Sequence, residues 1–149
     1  MIEQHELVGA WQLESWSIGY EEREGFSHPF GEEPRGLLLY SEDGWMSASI
    51  SRQDRARLPV GESPRKIPDS QQAAAYSSYF HYAGRYRVVN GDVIHYVTQS
   101  LNPNFPGTEQ LRHAELDGQT LVLTGKDEAG GVVRYHTLVW HRAPATAPA

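Results

Sequence analysis

No cysteine occurs among the 149 residues. That excludes disulfides, thiolate nucleophiles, iron–sulfur clusters and cysteine-built zinc sites. No apolar run approaches the roughly 18 residues that a bilayer-spanning helix requires, so no membrane partner is expected. The first residues, Met1 to Leu7, are polar and acidic and lack an apolar secretory core, which makes the cytoplasm the expected location. Basic tracts are missing as well: 13 Lys and Arg stand against 19 Asp and Glu, for a net charge of −6. A nucleic-acid surface needs clustered cations to displace counterions, so neither DNA nor RNA is an expected partner. The sequence contains no phosphate loop, G-x-G-x-x-G fingerprint, G-x-S-x-G elbow or H-E-x-x-H pair, and no cofactor is expected. Internal repeats are absent too.

What the chain has is aromatics, tight turns and alternation. Aromatic residues reach 11% of a length suited to one domain, against 39% hydrophobic residues in all. This balance fits a limited, aromatic-rich interior and not a disordered chain. Apolar residues recur with a period of two, which predicts eight strands near residues 8–20, 36–41, 45–51, 84–89, 92–101, 108–116, 119–124 and 132–142. Asn90-Gly91 and Asp117-Gly118 are the strongest hairpin signals, because a type I′ turn needs positive φ at both central positions. Asp43-Gly44 marks a third turn, and Gly130-Gly131 fits the last hairpin. Eight antiparallel strands in so short a chain favour a closed up-and-down barrel, since closure removes the sheet edges. Its bore is wide enough for packed side chains or one small guest.

One short helix interrupts the pattern between the third and fourth of these strands. Asp69 is its expected cap, Gln72 completes a capping box, and Gly84 follows its end. Tyr76, Tyr79, Phe80 and Ala83 then share one face, and the helix is placed to cover an open end of the barrel. Residues 52–68 carry Arg52, Arg55, Arg57, Arg65 and Lys66 among three prolines. They read as a long surface loop, either a solvated connection or a mouth loop attracting an anionic ligand. The domain is expected to occupy residues 1–142, with a disordered tail over 143–149.

Turn geometry also assigns faces. A two-residue turn at Asn90-Gly91 pairs Val89 with Asp92, Val88 with Val93, Tyr86 with His95 and Gly84 with Val97. The more apolar face, expected to point inward, holds Tyr86, Val88, Val93, His95, Val97, Gln99 and Leu101. A turn centred on Asp117-Gly118 sets Leu116 opposite Gln119, Ala114 opposite Leu121 and Arg112 opposite Leu123. Gln110 and Arg112 then go inward with the leucines, and His113 faces out. An interior arginine costs several kcal/mol unless paired, so a ligand group, a buried carboxylate or an internally satisfied polar cluster with waters is expected beside Arg112. Seven histidines raise the question of metal. His136 and His141 fall on opposite faces of one strand, while His81, His95 and His113 lie on separate elements, so no metal site is expected.

Gly9-Ala10-Trp11 resembles the G-x-W signature of lipocalins and related calycin barrels. Further stretches are similar to the bacterial and fungal lipocalin-like domain family: residues 7–11, Pro29 to Gly31 with Pro34 to Gly36, Leu39 to Ala48, Tyr82 to Tyr86, Gly107 to Gln110, and Leu138 to Trp140. The resemblance spans nearly the whole chain. It implies a calycin-type β-barrel with a small-molecule cavity, and a structural role for Trp11 against Arg142 at the closed end. No single chemistry follows from it.

The first functional expectation is a binder of a small, largely apolar organic molecule, fatty-acid-like or polyketide-like, hydrophobic or weakly acidic. Tyr86, His95, Val97, Gln99, Gln110, Arg112 and Tyr79 are its candidate contacts. The second is a cofactor-independent isomerase, cyclase or dehydratase of a secondary-metabolite intermediate. In it His95 moves a proton, Tyr86 is hydrogen-bonded opposite it, and Arg112 with Gln110 stabilises an oxyanion. The third is a protein-interaction module with a filled core and Arg112 paired to a carboxylate. A homodimer is compatible with all three.

Overall fold

The computed structural model describes residues 1–146. In chain order the elements are α1 (Gln4–Leu7), β1 (Gly9–Tyr20), β2 (Phe26–Ser27), β3 (Arg35–Tyr40), β4 (Trp45–Ser51), a 3₁₀ turn (Pro64–Lys66), α2 (Asp69–Ser77), β5 (Tyr79–Val89), β6 (Asp92–Ser100), β7 (Glu109–Asp117), β8 (Thr120–Ala129) and β9 (Val132–Arg142). Strands β3 to β9 pair in sequence, β1 pairs β3 on one side and β9 on the other, and every pairing is antiparallel. The result is the expected closed eight-stranded barrel. The two-residue β2 is an extra ribbon on β1, which is why the helix follows the fourth strand instead of the third.

Two turns act as expected, and a third corrects the sequence reading. Asn90 and Gly91 have φ of 51° and 85°, the type I′ pattern, and fix Tyr86 opposite His95. Gly130 and Gly131, at 58° and 78°, do the same for β8 and β9. At the β7–β8 hairpin Asp117 pairs Thr120, so Gly118 and Gln119 form the turn. Only the glycine there has positive φ, as a type II′ turn demands. Arg112 is consequently opposite Gly125, not Leu123. The slip is two residues, so the inward set survives it.

The helix is shorter than its sequence signals suggest. Residues 79–83 belong to β5, where Phe80, Tyr82, Gly84, Tyr86 and Val88 alternate at period two and every residue from 79 to 85 pairs with β4. That ladder outweighs the local helical spacing. Helix α2 has no buried residue and contributes nothing to the barrel lining. Gln72 reaches back to the Ile67 carbonyl at 2.7 Å instead of closing a capping box on Asp69.

A bulge changes one face assignment. Gly84 pairs Val97 but Ala83 pairs Gln99, leaving Thr98 as the extra residue. Gln99 is therefore turned out to solvent instead of inward. The bulge also explains Gly84, since a Cβ there would overlap the Tyr96 carbonyl and crowd Thr98 N at 3.0 Å. Gly84→Ala is expected to destabilise the barrel by on the order of 3 kcal/mol, read as a lowered urea midpoint at unchanged m-value. A second irregularity, between Leu13 and Ser15, swings Trp16 and Ile18 inward after Trp11 and Leu13.

The closed end is stoppered by α1. Leu7 and Trp11 are fully buried, and the Trp11 indole donates to the Leu7 carbonyl at 2.9 Å. Arg142 covers the Trp11 ring at 4.1 Å and donates to the Val8 and Glu6 carbonyls at 2.9 and 2.7 Å. This is the structural pairing expected of those two residues. Ala143 still bonds the Ala10 carbonyl, and the disorder expected of the tail falls partly on residues 147–149, outside the described residues. No helix among the described residues is long and apolar enough to cross a membrane.

Candidate functional site

Above the packed closed end, the barrel encloses a cavity of about 320 Å³. Its walls are aromatic and aliphatic. Phe80, Tyr82 and Phe105 meet edge-to-face at centroid distances of 5.2 to 6.1 Å, and Trp16 stands 6.4 Å from Phe80. Leu38, Ala48, Ile50, Leu123, Leu138 and Trp140 complete the apolar surface. Phe105 comes from the β6–β7 loop, so this connection, and not α2, shapes the mouth.

His95 sits at the cavity wall, 2% exposed. Its Nε2 lies 2.7 Å from the Tyr40 hydroxyl and its Nδ1 lies 2.7 Å from the Tyr82 hydroxyl. Burial, reinforced by the Arg112 charge, lowers its pKa to about 3, so the ring is neutral. Burial also raises both phenols above the ordinary tyrosine range, Tyr40 the more strongly. A neutral imidazole has one N–H and one lone pair, and each tyrosine has one O–H. Three hydrogens therefore serve two contacts, and one hydroxyl hydrogen is left over at an end of the Tyr40–His95–Tyr82 chain. Tyr82 lines the cavity and Tyr40 does not. Placing the spare hydrogen on Tyr82 directs it toward the cavity, whereas on Tyr40 it would be buried without an acceptor.

Arg112 enters the same space. Gly125, opposite it on β8, makes the room: a Cβ there would meet the guanidinium Nη1 at 2.7 Å and Cδ at 3.0 Å. One Arg112 nitrogen donates to the Leu111 carbonyl at 2.8 Å. Among the described residues no carboxylate pairs with Arg112. The carboxylate that lines the cavity, Asp127, is engaged elsewhere. Arg134 donates to both its oxygens at 2.9 and 2.8 Å, and His136 Nε2 donates at 3.0 Å. The Arg134 hydrogen bonds hold the Asp127 carboxyl below the usual range. His136 Nδ1 in turn accepts from the Trp16 indole at 3.1 Å, and burial lowers the His136 pKa. Trp140, 2% exposed, has an indole N–H with no partner among the described residues.

Of the residues expected inside, His95, Gln110 and Arg112 line this cavity together, with Gln110 donating to the Thr108 hydroxyl at 2.9 Å. Val97 points inward but packs in the core beside the cavity. Tyr86 is also inward, yet its hydroxyl donates to the Ser41 carbonyl at 2.7 Å and not to His95. Tyr79 is on the outer face, stacked on His81 with Arg55 over its ring, and Gln99 is exposed. Sequence reasoning missed Tyr40, Tyr82, Trp140, Trp16 and His136. The signal for two of these, Trp140 and His136, was available. Counting back from a type I′ turn at Gly130-Gly131 sets Leu123 opposite Leu138 and Leu121 opposite Trp140, which puts His136, Leu138 and Trp140 inside.

The profile of the lipocalin-like domain matches residues 8–143. The chain belongs to the lipocalin-like domain family. Comparison with curated proteins finds no match. Membership accounts for the closed barrel and for an interior suited at most to a small molecule.

Proposed function

We propose that this lipocalin-like domain binds a small, largely apolar organic molecule in the barrel interior, with its polar end against Arg112. The single observation that carries this reading is a guanidinium in an aromatic cavity that pairs with no carboxylate among the described residues. Burying a few hundred Å² of apolar guest supplies several kcal/mol at roughly 25 cal/mol/Å², and a paired Arg112 offsets its own desolvation. A filled core with Arg112 tied to a carboxylate, which an interaction module would need, is not what the described residues contain. Native mass spectrometry of the purified protein is expected to show a copurifying organic molecule. Arg112→Leu is expected to lose it or weaken its binding about tenfold or more, as for a charge-assisted contact. A barrel free of any guest, and indifferent to apolar probes, would overturn the reading.

The Tyr40–His95–Tyr82 chain favours a second reading, a cofactor-independent isomerase, cyclase or dehydratase. Tyr82 then stands in place of Tyr86 as the group hydrogen-bonded to His95 and takes over from the neutral His95 as proton donor, with Arg112 facing a developing oxyanion. Under that reading His95→Gln removes turnover and leaves affinity nearly intact; under the binding reading it changes affinity modestly.

A further inference from the structure

We propose that the guest of this cavity is a small planar aromatic oxyanion, an aryl carboxylate or a phenolate, bound with its charged oxygen among Arg112, Tyr82 and Trp140. The inference rests on the binding reading and names its ligand class. Three independent features support it.

The first is an excess of donors. Among the described residues the buried Trp140 indole N–H has no acceptor and Arg112 has no carboxylate partner, and Tyr82 carries the spare hydrogen of the His95 chain. These three groups line one cavity. An unmet buried donor costs about 1–3 kcal/mol, so the space is suited to a group that accepts several hydrogen bonds at once. An oxyanion does, and an ammonium or an alkane does not.

The second is local charge. The whole chain is acidic, with a net charge of −6, yet the cavity lining holds Arg112, Lys126 and Arg134 against Asp127 alone. Asp127 is already shared between Arg134 and His136, so it does not neutralise Arg112. A low-dielectric chamber magnifies that imbalance and favours an anionic occupant. The third is shape. At about 320 Å³ the cavity is at the small end of ligand sites. Phe80, Phe105, Tyr82 and Trp16 line it, and an aromatic lining suits a flat ring better than a long flexible chain.

The test uses matched probe pairs on the full chain: benzoate against acetophenone, and 2-naphthoate against 2-acetonaphthone, titrated by calorimetry at pH 7. The carboxylate of at least one pair is expected to bind about tenfold or more tightly than its ketone. The same factor is expected as a downward shift of about one unit in the apparent pKa of bound 4-nitrophenol, read from its visible absorption. Arg112→Met is expected to erase the preference while ketone binding persists. Trp140→Phe, which keeps the ring and removes the donor, is expected to reduce it. Equal affinity for carboxylate and ketone would overturn the oxyanion assignment and leave the binding reading standing. Failure of every probe to bind would overturn both.

Discussion

Acidification from pH 7 to pH 4 is expected to cost the folded lipocalin-like domain roughly 3 kcal/mol through His95 alone. The ring's pKa is about 3 in the fold, against 6.5 for an ordinary histidine. Between those values the unfolded chain takes up a proton that the native state refuses. Stability is therefore at its full value above about pH 6.5, falls by about 1.4 kcal/mol per unit below it, and levels off near pH 3. Asp127, whose carboxyl is held low by Arg134, adds a further loss of the same sign at the acid end of this window. The check is a series of urea unfolding curves from pH 7 to 4, with His95→Gln as the comparison. The variant should be less stable at neutral pH, because its tyrosine contacts are disturbed, but it should show a shallower slope. Ring carbon shifts followed by NMR should stay flat for His95 down to pH 4. A His95 that titrates near pH 6 would overturn the burial argument and remove the expected acid sensitivity.

The same neutrality separates stability from binding. Because His95 does not change charge between pH 5 and 9, its titration does not gate the entry of an acidic guest over that range. His136, which also lines the cavity, bridges Trp16 and Asp127 there.

How much of this was legible in the residues depended on turn chemistry. Asn90-Gly91 fixed the register of β5 and β6 through Gly84 because both its φ values must be positive, and it delivered His95 to the interior. Asp117-Gly118 misled by two positions, since a lone left-handed Gly118 serves a type II′ turn equally well. Its faces survived because two is the period of the strand, and Gln110 and Arg112 stayed inside. Tyr79 to Ala83 satisfied helical spacing and strand alternation at once. Only the neighbouring β4, which is 28 residues away at its nearest end, decided between them, so Tyr82 was lost to the helix. Bulges were invisible for a similar reason. Gln99 is turned outward by one unpaired residue, and Gly84 is a clue that is interpretable only when the Tyr96 carbonyl beside it is known.

Trp11→Ala is expected to be the most damaging single substitution at the closed end, at about 4 kcal/mol, equivalent to a fall of roughly 10 °C in Tm for a domain of this size. It deletes a fully buried indole, frees the Leu7 carbonyl at the end of α1, and removes the surface on which Arg142 lies. Arg142→Met, leaving the Val8 and Glu6 carbonyls without their donor, should cost about 2–3 kcal/mol. The two effects should fall well short of additive, because both changes dissolve one stack that ties α1, β1 and β9 together. Urea curves for the two single variants and the double variant measure that coupling. Neither residue lines the cavity, so guest selectivity at temperatures where the variants are folded should match the parent's. A shift in the carboxylate-to-ketone ratio on removing Trp11 would mean that the plug and the chamber are not separable parts of the barrel.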